Sequence, residues 1–281
     1  MQTEIRTNPY LQTRYLFTPQ PQARVYYTEP EPKPIIPEEA KPLVTFGILQ
    51  ALTAVLQKAS KWCGEKLMQG KEFTTPGNVK KAASDMLSKH NLSDKINIEY
   101  VSDGNINQIA QRYRPHDSGF FKLLAPVARG ENAFYADGLK LAVAPDSKPS
   151  LILHELGHAI NAHSGKFLKF LQTFKTKLPN LTPSLFLLNA IIPKKENGEK
   201  TFIEKYAGLI GFAGFLPTII EEGLASFRGI NAASKLKKTV DKTINLKPLK
   251  RNYFFAWMTY LIAGLVFGAG VHLNFIDNRK N

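Results

Sequence analysis

Residues 149–158 read PSLILHELGH, in which a helix-start proline and an apolar run precede two histidines spaced four residues apart. Side chains at positions i and i+4 lie on the same face of an α-helix. The imidazoles of His154 and His158 can therefore reach one zinc ion, while Glu155 points at a water on that ion. The sequence thus predicts a helix from His154 to about His163 that carries a metal-binding pair.

The segments before this helix predict a small sheet. Residues 96–101 alternate between apolar and polar side chains, and residues 133–136 and 139–143 resemble the two strands of a hairpin joined by Asp137-Gly138. We expect a small antiparallel sheet in which the strand at 139–143 lies at the edge and pairs with an extended peptide. A strand, a hairpin and a metal helix in this order are typical of a zincin, so the predicted fold class is α+β with a mostly helical C-terminal half.

The pattern along the chain predicts four segments. Residues 1–42 contain eight prolines and are expected to form a disordered lead, followed by an amphipathic helix at 43–70. Residues 71–251 are assigned to the zincin-like domain. Residues 253–276 contain no charged side chain. As a helix they would reach about 36 Å, which exceeds a hydrocarbon core of about 30 Å, so we predict a transmembrane helix, with a buried core helix as the alternative.

Two shorter apolar stretches, 185–192 and 206–220, lie between the metal helix and this transmembrane segment. Both are shorter than the roughly 18 residues expected of a spanning helix. Re-entrant segments, interfacial helices and ordinary core helices all remain open for them.

Half of the net charge of +14 is concentrated at residues 228–251, which hold eight Lys or Arg and one Asp. Because this basic loop directly precedes the apolar segment, we expect it to contact anionic membrane lipid. Nucleic acid is not expected as a partner, since no stacking aromatics accompany the lysines. The positive-inside rule places the basic loop, and with it the catalytic domain, on the cytoplasmic side.

The single cysteine, Cys63, excludes both an intrachain disulfide and a cysteine-rich zinc site. A catalytic zinc therefore needs a third ligand that is a histidine or a carboxylate. His163 lies about 140° around the helix from His158, so it is better interpreted as a supporting or surface residue. The remaining candidates are the adjacent Glu221 and Glu222.

The string HELGH followed by Glu-x-x-Ala at 222–225 resembles the gluzincin metallopeptidases. Residues 131–143 and 154–163 are similar to the HtpX-like and CAAX-prenyl-protease family of membrane metalloproteases, and the resemblance covers roughly residues 95–230. It implies that Glu222 is the third zinc ligand and Glu221 its neighbour. Ser226 stands where the family usually has an aspartate that braces a zinc histidine, which leaves a weaker acceptor there.

These observations predict a membrane-attached, zinc-dependent metalloendopeptidase that acts on a peptide or a membrane protein. Glu155 is expected to take a proton from water and pass it to the leaving amine. The sequence does not single out a donor for the oxyanion. The alternative is a catalytically inert, membrane-tethered protein that keeps a zincin shape and serves as a binding scaffold.

Overall fold

A computed structural model describes residues 41–174 and 201–276, which form eight helices and three strands. The helices are α1 (Lys41–Met68), α2 (Pro76–Lys89), α3 (Ile106–Tyr113), α4 (Ser118–Ala128), α5 (Ile152–His163), α6 (166–174), α7 (Phe202–Thr239) and α8 (Lys247–Ile276). The strands are β1 (Asn97–Val101), β2 (Phe134–Ala136) and β3 (Leu141–Pro145). All but the last two positions of the predicted lead at 1–42 lie outside the described residues, as does the apolar stretch at 185–192.

The three strands form one mixed sheet in the order β1-β3-β2. β3 pairs with β1 in parallel and with β2 in antiparallel orientation, so the prediction of a purely antiparallel sheet is wrong. The predicted edge position of residues 139–143 is also wrong, because β1 occupies the side of β3 that the hairpin leaves open. All five β3 residues are buried, as expected for an apolar run covered on both faces. β2 is the edge strand of the hairpin instead.

The start of α5 is fixed by a carboxylate from the segment that follows α1. A short 3₁₀ turn at Pro149–Leu151 leads into the helix. There the Ser150 hydroxyl and backbone N–H donate to the two oxygens of Glu72 at 2.9 and 3.2 Å. Burial raises the pKa of Glu72 above its usual value, although the Ser150 donors act in the opposite direction.

α5 lies in the centre of the main core, with ten of its twelve residues buried. Gly157 allows α7 to approach closely, since a Cβ at this position would lie 2.5–2.8 Å from backbone atoms of Ala225. Gly229 faces α5 in a similar way, and its Cβ would lie 3.1 Å from the Leu153 backbone. Backbone contact between α5 and α7 therefore brings residues 221–226 next to the two histidines of α5.

α7 and α8 pack against each other in opposite directions over most of their length. Contacts between the two helices include Gly208 with His272, Gly223 with Trp257 and Gly229 with Tyr253. The stretch at 206–220, expected to be too short to span a membrane, belongs to the single 38-residue α7. The stretch was judged too short because the charged Lys205 and Glu221 bound it, whereas the helix continues through both. Its glycines are packing positions, since a Cβ at Gly208 or Gly211 would lie 2.9 Å from an α8 side chain.

Both α7 and α8 are long and apolar enough to cross a membrane, whereas the sequence had predicted only one span, at 253–276. Within the most apolar window of each helix, 33% of α7 and 22% of α8 is buried inside the chain. Most of each window therefore faces outward, which disfavours the alternative of a buried core helix. The basic segment 228–251 is not one loop, because its two ends belong to α7 and α8 and only residues 240–246 connect them.

Candidate metal centre

The two histidines of α5 direct their Nε2 atoms at one another, 3.0 Å apart. Both side chains are buried, and the rings meet edge to face with their centroids 4.6 Å apart. The one-turn spacing of His154 and His158 on α5 accounts for this approach. The two histidines predicted to bind a metal therefore share one face of one helix.

Glu222 of α7 completes a group of three ligand atoms. Its Oε2 lies 3.2 Å from Nε2 of His154 and 3.5 Å from Nε2 of His158. The three residues are buried, and together they could hold a metal ion. A carboxylate 64 residues beyond the second histidine is thus brought to the same point as both imidazoles.

The spacing of these three atoms fits a tetrahedral ion. Ligand atoms at about 2.0–2.1 Å from zinc, at the corners of a tetrahedron, lie about 3.3 Å from each other. The observed separations are 3.0, 3.2 and 3.5 Å. Two imidazoles and one carboxylate are also a donor set found in catalytic zinc sites, so the group fits zinc in both size and chemistry.

A chain of hydrogen bonds holds the imidazole of His158 at its Nδ1 atom. Its Nδ1 donates to Oε1 of Glu221 at 2.7 Å, and the amide of Asn161 donates to the same oxygen at 3.1 Å. Nε of Arg228 in turn donates to Oδ1 of Asn161 at 2.9 Å. Because the Glu221 carboxylate accepts from Nδ1, the lone pair of His158 is directed from Nε2 toward the other two ligand atoms.

Ser226 supports the other histidine. Its hydroxyl lies 3.1 Å from Nδ1 of His154, the position from which a histidine ligand is usually oriented. Of the three predicted supporting residues, Glu221 and Ser226 therefore contact the histidines. His163 does not, because its ring turns away and Nδ1 donates to the carbonyl of Ala159 at 2.9 Å, on the exposed side of α5.

A cavity of about 220 Å³ opens beside His154 and Glu155. It lies between α5, α8 and the residues that lead into β2. The other lining residues are Leu67, Glu131, Asn132, Ala133, Leu151, Tyr253, Ala256, Thr259 and Tyr260. Glu155 thus borders a cavity next to the candidate metal ligands, as a base acting on a molecule in that cavity must.

Two residues of the centre were missed by the sequence analysis. Tyr260 lines the cavity, and its side chain interacts with that of Glu222. The sequence feature that could have identified Tyr260 is a polar group inside an apolar helix, which often marks a functional position. Asn161 follows His158 by three residues and so shares its helix face, a spacing that predicts contact with the same surroundings.

Tyr253 has a structural role at the same centre. Its hydroxyl donates to the Ser150 carbonyl at 2.8 Å, and its ring centroid lies 5.5 Å from that of His154. The buried ring therefore closes one side of the cavity and ties α8 to the turn before α5.

No family model, curated protein or solved structure matches this chain.

Proposed function

We propose that the chain is a membrane-attached zinc metalloendopeptidase of the gluzincin type, with a zincin-like arrangement of sheet and metal helix. The observation that carries the proposal is the convergence of His154, His158 and Glu222 within 3.0–3.5 Å, with Glu155 on the adjoining cavity. A metal group that only stabilised the fold would not require a glutamate facing an open space beside it.

Zinc, when bound by these three residues, supplies a Lewis acid that acidifies a coordinated water and polarises a carbonyl oxygen. Glu155 is the base that removes a proton from the attacking water and returns it to the leaving amine. Its position on the helix, one residue after His154, holds its carboxylate at the cavity. The Glu221 carboxylate keeps the His158 imidazole in one tautomer and orientation.

Tyr260 is the residue we assign to the oxyanion. Tyr260 lines the cavity together with Glu155, and its side chain interacts with Glu222. A phenol at this position can donate to the oxygen that becomes negative when a carbonyl is attacked. Because Tyr260 belongs to α8, the apolar helix contributes to the chemistry as well as to membrane attachment.

The edge strand β2 supports an extended peptide as the substrate. Asn132 and Ala133 border the cavity and lead directly into β2. In the sheet of the described residues β2 pairs only with β3, so its other edge is available to a peptide strand. A peptide added there would run past Glu155.

The location of the site supports a substrate near the membrane surface. Glu221 and Glu222 directly follow the apolar part of α7, at 206–220, and Tyr260 precedes the apolar end of α8. The basic residues 228–251 lie on the other side of the site, which by the positive-inside rule is the cytoplasmic side. Membrane proteins or membrane-proximal peptides are therefore the proposed substrates.

The test compares Glu155→Gln with the parent chain, purified in neutral detergent. We expect Glu155→Gln to bind one equivalent of zinc and to lose cleavage of casein or of its own chain. Asp94→Asn, a carboxyl-to-amide change at an exposed loop position, is the matched control and should cleave at the parent rate. If Glu155→Gln cleaves as fast as the control, Glu155 is not the base. If the parent binds zinc and cleaves nothing, the inert scaffold is the better description.

A further inference from the structure

A second cavity, which we call the basic cavity, lies between α2 and α7. It has a volume of about 200 Å³ and is separate from the cavity beside Glu155. Three cationic side chains, one carboxylate and one histidine line it, together with apolar and neutral residues. These five are Lys89, Arg228, Lys235, Asp85 and His90.

The cations of the basic cavity are not neutralised by the surrounding protein. Among the ion pairs of the described residues, none joins Lys89, Arg228 or Lys235 to a carboxylate. Arg228 uses its Nε on Asn161, and no other hydrogen bond of its guanidinium occurs within 41–174 and 201–276. With Asp85 counted, the lining carries a net charge of about +2 when the histidine is neutral.

His90 adds no charge of its own. Its partial burial, followed by the positive charges of Arg228 and Lys89, lowers the pKa of the imidazole below its usual value. The histidine therefore stays neutral at pH 7, so the positive charge of the cavity comes from its three cations. Lys89 and Lys235 are exposed, whereas the guanidinium of Arg228 is half-buried, and a partly buried charge without a counter-ion is stabilised when an anion joins it.

We infer that the basic cavity binds a phosphate group, carried by either a lipid headgroup or a soluble phosphate ester. A phosphate monoester has a charge of about −1.5 to −2 at pH 7 and three acceptor oxygens, which matches the net charge and the several N–H donors of the lining. A single carboxylate would neutralise only half of that charge. Arg228 offers planar paired donors, and Lys89 and Lys235 add point charges on either side.

The position of the basic cavity fits a phosphate at a membrane surface. Arg228 and Lys235 lie on α7 beyond its apolar part at 206–220, where headgroups would be found if α7 crosses a membrane. The same Arg228 contacts Asn161, so the bound group would lie two side chains away from Glu221 at the metal centre. Binding there requires neither zinc nor peptidase activity.

The test is calorimetry on the full chain in neutral detergent at pH 7.5, with inorganic phosphate, dioctanoyl phosphatidic acid and acetate as probes. The variant Lys89→Met/Lys235→Met removes two cations from the basic cavity. Lys81→Met/Lys238→Met is the matched control, because it removes the same charge from equally exposed positions of the same two helices that do not line the cavity. We expect the first variant to weaken phosphate binding at least about tenfold, since hydrogen bonds to charged groups contribute that much, and the control to bind as the parent does.

Two results would overturn the inference: phosphate binding no tighter than acetate binding, or equal weakening in the two double variants. Tighter binding of phosphatidic acid than of inorganic phosphate supports the inference and identifies a lipid headgroup as the source. Equal binding of the two supports it with a soluble phosphate ester as the source. Loss of cleavage in Glu155→Gln bears on the proposed peptidase alone, so the two proposals fail separately.

Discussion

Glu221 and Glu222 are adjacent, fully buried carboxylates of α7, and the structure gives them different roles at the candidate metal centre. Oε2 of Glu222 faces both Nε2 atoms, whereas Oε1 of Glu221 contacts Nδ1 of His158, on the far side of the ring, and the amide of Asn161. Replacing each in turn by glutamine keeps its volume and removes its charge. We predict that Glu222→Gln weakens zinc binding more than Glu221→Gln does.

The magnitude follows from the contacts that each change removes. Glu221→Gln weakens one short, charge-assisted hydrogen bond of 2.7 Å to a ligand histidine, and changes of this kind lower metal affinity by about 10–100-fold, or about 1.4–2.7 kcal/mol. Asn161→Ala acts on the ligand histidine only through Glu221: it loses the hydrogen bond to the Glu221 carboxylate, and a longer one of 3.5 Å to the Glu221 carbonyl. At about 0.5–1.5 kcal/mol this loss corresponds to roughly a 2- to 12-fold weaker affinity. The predicted order of effect is therefore Glu222, Glu221, Asn161.

The assay is a competition titration of zinc against a chromophoric chelator, with each variant in neutral detergent. Near-ultraviolet circular dichroism of the metal-free proteins separates lost ligation from lost folding, and Asp94→Asn again serves as the exposed carboxyl-to-amide control. If Glu221→Gln abolishes binding while Glu222→Gln keeps it, the two roles are reversed. If no variant differs from the control, these residues do not hold the metal.

Three further predictions follow from the packing around the site. Gly157→Ala should destabilise the chain by about 1–3 kcal/mol and weaken zinc binding, because its Cβ meets the backbone of α7. Gly214→Ala, whose Cβ meets nothing within 4 Å, is the control, and equal thermal midpoints for the two would contradict the packing argument. Tyr260→Phe should lower kcat by about 10²–10³-fold and retain zinc, with the exposed Tyr206→Phe as control; an unchanged kcat excludes Tyr260 as the oxyanion donor. Removal of metal by a chelator should lower the thermal unfolding midpoint, and free zinc at 100 times its Kd should restore about 2.7 kcal/mol of the free energy of unfolding. A thermal midpoint that does not change with chelator would contradict a metal bound in the fold.

The local elements were predictable because their signals are short in range. The four-residue spacing of His154 and His158 predicts one helix face, and α5 at Ile152–His163 confirms that helix. The alternation at 96–101 likewise predicts the strand β1 at Asn97–Val101. In both cases the pattern of side chains lies within a few neighbouring residues, so the element can be predicted without knowing any contact to a distant part of the chain.

The sheet and the second apolar helix were not predictable in the same way. Which side of β3 is taken by β1 depends on the path of the chain through α3 and α4, which no local pattern records. In α7 the apolar stretch at 206–220 ends at the charged Lys205 and Glu221, so its length alone falls short of a spanning helix although the helix itself continues. The packing of Gly208 and Gly211 depends on α8, which approaches where they lack a Cβ.

The sequence pattern and the helix packing together explain which of the two glutamates faces both histidines. A glutamate in sequence near 222 is only one charged residue among many, and neither spacing nor helix periodicity distinguishes Glu222 from Glu221. What distinguishes them is rotation about α7, which the contact between Gly157 and Ala225 fixes. With that contact in place, residue 222 faces both histidines and residue 221, about 100° away around the helix, reaches behind one of them. The close approach of Gly157 in HELGH to α7 therefore determines which of the two carboxylates faces both histidines, although Gly157 does not line the cavity.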